Sequence, residues 1–483
     1  MRIRVIVHYL GFTVIILGLF MVIPLLCSIH FSEDDVWAFA ISVGVTLGIG
    51  ALLFFSVPGS KGNLSRREGL ALVAGVWILA AAFGALPYQL AGIFPSYIDS
   101  YFEAMSGFTT TGATVLTSIE SQSHGILLWR NFTQWIGGMG IVTLFIALFP
   151  ILGIGAAYLF EAEMPGPQPE RLKVRIRDTA KALWIIYIAL SFVQFAALKF
   201  IGKIPVFDAC TITFGTMPTG GFLHKDLSIT AYDSLFISST VTFFMVLAGA
   251  NFGLYYYLYK RDYKRFFSNI EFRFYIVIIV VSSLAIMLDL VQNMGQPVGE
   301  ALSYATFQTV SIQTTTGFAT ADFNEWPSFS RSILLILMII GASAGSTGGA
   351  LKVIRLLVLV KYILRQLYLA ISPKSVHSLS IGGHVLPENI ASGIVGISIL
   401  YFSALMIGFL VMSAMGLDLI TAFSSVAATL GNVGPGLASV GPVGNYSIIP
   451  EAGKVILILC MLIGRLEFLA VLVLIVPAFW KWR

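Results

Sequence analysis

SGFTTTGATV at residues 106–115 and SIQTTTGFAT at residues 311–320 each run three threonines into a glycine. Both are too polar to cross a membrane, yet both lie among the most apolar segments of the chain. Examples of those segments are VIVHYLGFTVIILGLFMVIPLL from Val5, FYIVIIVVSSLAIML from Phe274 and VILILCMLIGRLEFLAVLVLIVPAFW from Val455. A helix needs about 20 apolar residues to cross roughly 30 Å of hydrocarbon. Only helices and closed barrels satisfy the backbone in lipid, and long unbroken apolar runs favour helices. Hydrophobic residues make up 57% of the chain and charged residues 11%, against about 25% charge in a soluble domain. The sequence predicts an all-α polytopic membrane protein.

Charge placement supplies the orientation. Basic residues cluster at Arg2 and Arg4, in KGNLSRR (61–67), ERLKVRIRDTAK (170–181) and KRDYKRFF (260–267), from Lys352 to Lys374, and at Lys481 and Arg483. The other loops are poor in them and include the acidic SEDD (32–35). The positive-inside rule then puts both termini and the basic loops in the cytoplasm. Because the +5 net charge is spread over all these loops, a nucleic-acid partner is not expected. The first apolar run is too long for a signal peptide and no small-residue cleavage site follows, so it is read as a retained helix. Cys27, Cys210 and Cys460 are scattered, as are the six histidines; neither a disulfide frame nor a metal centre is indicated.

The two threonine runs belong to a larger pattern. Polar, glycine-bearing stretches occur as TTTGA (109–113), PTGGF (218–222), TTTGF (314–318) and GNVGP (431–435). With Gly112, Gly221, Gly317 and Gly434 as key glycines, the intervals are 109, 96 and 117 residues. Gly221 is preferred to Gly220 because Asp208 then precedes it by 13 residues, as Asp99 precedes Gly112. Glu300 and Asp418 lie somewhat further upstream of the later two. Each stretch follows a long apolar segment and a short one of about 10 residues, which rises only about 15 Å as a helix. Such a segment must be re-entrant, and the acidic residue near its start is expected as an N-cap.

The expected architecture is therefore four pseudo-repeated units of helix, pore half-helix, filter loop and helix around one pore, preceded by an N-terminal two-helix hairpin. The boundaries fall at 1–68 for the hairpin and 69–181, 182–273, 274–390 and 391–483 for the four units, giving ten crossings. A single threonine-rich loop is ordinary, since such hydroxyls often bond across membrane helices. Four at matched spacing suggest a ring of backbone carbonyls able to replace the hydration shell of a monovalent cation. Glycine allows the backbone conformation this needs, and the C-terminal ends of half-helices favour cations. No Asp or Glu lies inside the four stretches, which disfavours a divalent-ion site. Potassium is expected as the transported ion, with sodium or rubidium entering less well.

The loops, together with AEMPGP (162–167), GASAGSTGGALKVIR (341–355), GNVGPGL (431–437) and GRLE (464–467), resemble the Trk/Ktr/HKT superfamily of potassium transporters, and within it the bacterial TrkH/TrkG type. The resemblance covers essentially the whole chain. It implies that carbonyls just before the key glycines coordinate potassium: Thr110 and Thr111, Thr219 and Gly220, Thr315 and Thr316, Asn432 and Val433. It also implies a bacterial inner-membrane location, a homodimer, and a separate cytoplasmic TrkA-type ring that binds nucleotides. The basic loops 170–181, 260–267 and 361–374 are candidate docking surfaces for that ring, although topology alone accounts for basic loops. No covalently bound cofactor is implied; potassium is the substrate.

GASAGSTGGA (341–350) interrupts the apolar segment after the third loop with Gly341, Gly345, Gly348 and Gly349. Each glycine costs a helix about 1 kcal/mol relative to alanine. Two readings are open, close packing of helices through small residues or an unwound intramembrane loop that gates the pore; the resemblance favours the gate. Arg465 stands alone in an apolar segment, where a charge is costly. Glu467 is only two positions away, so the two do not face each other on a helix. The resemblance implies that Arg465 projects into the pore and repels cations.

A potassium symporter coupled to protons or sodium is the alternative transport reading, but it calls for titratable carboxylates that the four loops lack. A membrane-embedded enzyme is not expected, because no metal-ligand spacing, nucleophile motif or paired intramembrane aspartates are present. A purely structural subunit leaves the four loops unexplained.

Overall fold

The computed structural model describes residues 2–57, 65–152, 176–373, 375 and 377–481. AEMPGP, residues 61–64 of the first basic loop and residues 170–175 of the second lie outside the described residues. The chain is predominantly helical. An N-terminal span, α1 (Ile3–Phe20) continuing into α2 (Val22–Phe31), is followed by α3 (Val36–Ser56). Small residues let α1 and α3 approach closely: a Cβ on Gly11 would stand 2.9 Å from the Gly50 carbonyl oxygen. Next come α4 (Arg66–Gly84), α5 (Leu86–Leu90), α6 (Tyr97–Phe108) and α7 (His124–Leu152). Ser65 and Glu68 form a reciprocal cap at the start of α4. Arg2 also bonds Glu68, which places the N-terminus beside the first basic loop.

The middle of the chain comprises α8 (Ile176–Ala196), α9 (Val206–Thr216), α10 (Leu235–Gly249), α11 (Phe252–Tyr259), α12 (Tyr263–Ser268), α13 (Ile270–Met294), α14 (Val298–Gln313), α15 (Ser328–Ile339) and α16 (Val353–Ile371). A two-residue hairpin, β1 (Ser380–Ile381) with β2 (His384–Val385), leads to α17 (Glu388–Ala414), α18 (Leu419–Leu430), α19 (Glu451–Arg465), α20 (Leu469–Ile475) and α21 (Pro477–Lys481). Among the described residues six helices are long and apolar enough to cross a membrane, or seven if the bent pair α10–α11 is one span. This is a multi-pass membrane protein.

Four short helices, α6, α9, α14 and α18, have 12, 11, 16 and 12 residues. Twelve residues rise about 18 Å, well under a bilayer. The C-terminal halves of three are enclosed on every side: Phe102–Phe108 of α6, Phe307–Gln313 of α14 and Ser424–Leu430 of α18 are buried throughout. The acidic N-caps expected from the sequence are found only at Asp418, which accepts from the backbone N–H groups of Ile420 and Thr421. Ser96, Pro205 and Pro297 precede the other three helices. Asp99 instead meets Lys454 at 2.6 Å, and Asp208 accepts from Tyr232. Asp99, Asp208 and Glu300 lie inside the first turn of their helices and not at the cap position.

The early and late parts of the chain share one apolar core, in which Trp77, Phe108 and Trp129 join Leu430, Leu457 and Met461. A second core joins Ile212 and Val241 to Phe307 and Phe318, and a third joins Ile312 and Met338 to Val433. Phe132 of α7 packs on Phe214 of α9, with ring centroids 5.5 Å apart.

Three helices that follow the short ones are broken. Between α10 and α11 the axis turns by 98°. Between α15 and α16 the chain is non-helical from Ile340 to Lys352. The segment from Val455 to Trp480, which reads as one span, breaks after Arg465, where Glu467 and Phe468 take φ of 55° and 61°. Glu467 is held there by an ion pair with Arg355 of α16.

Candidate functional site

Each short helix ends in the same way. The residue two before the key glycine has positive φ: Thr110 at 50°, Thr219 at 54°, Thr315 at 60° and Asn432 at 52°. Its N–H donates to the carbonyl three residues back, and the next N–H to the carbonyl five back: Thr110 to Gly107 and Thr111 to Ser106, Thr219 to Thr216 and Gly220 to Gly215, Thr315 to Ile312 and Thr316 to Ser311, Asn432 to Thr429 and Val433 to Ala428. This is a Schellman ending made four times. Glycine normally fills the left-handed place, and a β-branched residue there is an outlier costing about 1–3 kcal/mol. Three of the four loops put threonine in it.

The glycine that follows also has positive φ, 84° at Gly112, 76° at Gly221, 83° at Gly317 and 101° at Gly434. In the second loop this conformation falls on Gly221 and not on Gly220. A Cβ on Gly112 would stand 2.2 Å from the Gly220 oxygen, one on Gly221 1.9 Å from Thr316 O, one on Gly317 2.2 Å from Val433 O, and one on Gly434 2.7 Å from Thr111 O. Each glycine thus receives the carbonyl of the next loop, and the fourth receives that of the first, which closes a ring. A cleft of about 80 Å³ opens on it, lined by all four glycines and by Lys225 and Asp226.

The polar face of the segment 340–352 lies against this ring. Gly349 N–H donates to Thr315 Oγ1 at 2.8 Å, and Thr219 Oγ1 donates to Thr347 Oγ1 at 3.3 Å. A Cβ on Gly349 would come within 2.9 Å of Asn432 Cβ. The segment is pinned at its other side, where Ala344 N–H donates to Glu271 Oε1 at 2.6 Å and Ser343 N–H to Gly249 O at 3.0 Å; within it, Lys352 Nζ donates to Gly348 O. Arg465 is buried and donates to Thr347 O at 2.7 Å and Gly137 O at 3.4 Å. Its guanidinium therefore bridges the segment and α7, while Glu467 pairs with Arg355.

Residues 37–481 match the TrkH family, described as cation transport proteins. The chain is 38% identical to the Trk system potassium uptake protein TrkH of Salmonella typhimurium, with all of both chains covered. It is 30% identical to the Trk system potassium uptake protein TrkG of Escherichia coli over 99% of each. The chain belongs to the TrkH family. The crystal structure of the potassium transporter TrkH from Vibrio parahaemolyticus superposes on this TrkH-family chain over the full length of both, with a TM-score of 0.90 and 34% identity.

The structure brings together all twelve residues singled out in the four loops, and sets Gly348 and Gly349 against them. Gly341 packs on the far strand of the segment, its Cβ position 2.3 Å from Gly349 O, and Gly345 takes a φ of 71°. Sequence reading of this TrkH-family chain missed the side chains that hold the loops. Three residues past the key glycine, Val115 N–H donates to Glu103 at 3.0 Å, Thr320 N–H to Gln308 at 3.3 Å and Leu437 N–H to Ser424 at 2.9 Å. All three acceptors belong to the loop's own short helix. At the second loop its own short helix reaches the side chain, Thr211 Oγ1 bonding His224 Nδ1 at 2.7 Å, and α7 adds Arg130, Asn131 and Gln134. The signal was present: WRNFTQW (129–135) is a polar cluster in a membrane helix, which marks function by default.

Proposed function

We propose that this TrkH-family protein takes up potassium across a bacterial inner membrane through a gated, channel-like pathway. The four loops are its selectivity filter and belong to four repeats of one unit. The observation that carries this is the closed ring, in which four loops share one backbone conformation and each key glycine receives its neighbour's carbonyl. Positive φ at the key glycine and two residues before it allows consecutive carbonyls to turn to the same side, the arrangement that replaces a cation's hydration shell. The ligands are the carbonyls of Thr110, Thr111, Thr219, Gly220, Thr315, Thr316, Asn432 and Val433. The names of the relatives support potassium as the ion.

Residues 341–350 act as the gate, because they lie against three of the four left-handed residues. Arg465 holds this segment and sets a positive charge on the pathway. Both termini are cytoplasmic, the protein is a homodimer, and a cytoplasmic nucleotide-binding ring docks on the basic loops to move the gate. Radioactive rubidium uptake by the purified protein in vesicles, with potassium or sodium as competitor, tests the central reading. Potassium is expected to block uptake far better than sodium; equal competition overturns the filter.

A further inference from the structure

The second loop lacks what the first and third use to brace themselves. In those loops the residue before the key glycine is a threonine whose hydroxyl bonds the threonine two places earlier, Thr111 with Thr109 at 2.8 Å and Thr316 with Thr314 at 2.7 Å. The second loop has Gly220 and Pro218 at these places, so neither half of the brace exists. Glycine also leaves its backbone freer than any other residue, at a position whose carbonyl faces the neighbouring Gly112.

The space is nevertheless filled. A Cβ on Gly220 would fall 2.7 Å from Cδ of Gln134, 2.9 Å from its Oε1 and 3.0 Å from its Nε2. Gln134 is fully buried, and two bonds fix the way its amide points. Nε2 donates to Gly220 O at 2.6 Å, and Oε1 accepts from Phe222 N–H at 3.0 Å. Asn131 and Arg130, on the same helix, continue the contact by donating to Phe222 O at 2.6 Å and Leu223 O at 2.9 Å.

We infer that Gln134 supplies, from α7, the side chain that the second loop has lost, and that it is a positioning residue setting the cation specificity of this quadrant of the ring. The inference rests on the filter reading. Gln134 holds the Gly220 carbonyl at the radius that the threonine brace imposes in the first and third loops. It also takes one lone pair of that oxygen, leaving the other to the ion.

The test is the thermal unfolding of the purified protein titrated with potassium or sodium chloride at constant ionic strength. Bound cation raises the melting temperature whether or not the gate is open. The quantity read is the ratio of the sodium to the potassium concentration giving half the stabilisation. Gln134→Ala is expected to lower that ratio about fivefold, the worth of one buried hydrogen bond. Gly220→Thr alone lowers it too, because the new side chain collides with the amide. Gln134→Ala combined with Gly220→Thr restores it, since threonine then has room for its own place.

An unchanged ratio in Gln134→Ala overturns the inference, and so does a double variant whose loss is the product of the two single losses. Should Gln134→Ala fail to fold, Gln134→Glu keeps the size and the acceptor for Phe222 but faces Gly220 O with a carboxylate oxygen; a parental ratio there also overturns it. A parent protein stabilised equally by both ions overturns the filter reading itself, which the ratio measured before any substitution separates from failure of the Gln134 assignment.

Discussion

Two levels of the molecule meet at Thr219, Thr315 and Asn432, and they follow opposite plans. The ring above is made by four loops of one backbone geometry, although their sequences share only the key glycine. The segment that touches it is supplied by one part of the chain, residues 340–352, with Arg465 from another. The difference is physical. On the proposed filter reading, a cation on an axis must be matched by oxygens from all sides, so each loop must contribute alike. On the proposed gate reading, closing the same axis needs an obstruction from one side only, and nothing requires it to be repeated.

Breaking the ring should therefore cost more than altering the segment. The largest effect is expected for Gly317→Val. Its φ of 83° and the Val433 oxygen 2.2 Å from the Cβ position leave a β-branched residue no place, and backbone strain alone is about 1–3 kcal/mol. Rubidium uptake should lose its preference for potassium or disappear; preserved uptake with preserved preference would show that this glycine is not part of the filter.

Arg465→Ala should act in the opposite direction, raising uptake without any partner by about tenfold, because even ~1.4 kcal/mol of removed repulsion is worth that factor. Lower uptake by protein that still folds would make Arg465 a structural tie between Thr347 and Gly137. Gly349→Ala sharpens the contrast further. Its Cβ would stand 2.3 Å from Gly431 O, so the segment must move off the ring, and uptake should rise roughly threefold within the range of ordinary single substitutions. A fall in potassium preference instead would mean that the segment also shapes the filter.

The smallest effect is expected outside both levels. Asp418 caps the fourth short helix, and hydrogen bonds from Thr421 hold its carboxyl below the usual carboxylate range. Asp418→Ala should cost about 1 kcal/mol of stability, seen as a modest drop in melting temperature with potassium preference intact. A changed preference would mean that helix ends, and not only loops, set the ring.

Much of this was legible from local pattern. The four loops and their glycines stand out because polar residues between apolar spans need a reason, and the spacing from Asp208 selects Gly221 over its neighbour. Other features were hidden because they depend on distant partners. Asp99 reads as a helix cap but is taken by Lys454, 355 residues away. At the break after Arg465, Glu467 pairs with Arg355, 112 residues away. Gln134 reads as one polar residue of a span, and its place beside Gly220 follows only from how α7 packs.

The sequence by itself determined the class of molecule, the number of polar loops and the residues with left-handed freedom, because apolar length and glycine act within a few residues of chain. Tertiary structure alone decided that each loop's carbonyl enters the space left by its neighbour's glycine, that the fourth loop closes on the first, and that α7 braces the second. Those are contacts between segments 86 or more residues apart in the chain, and only the packing of helices on helices brings such segments together.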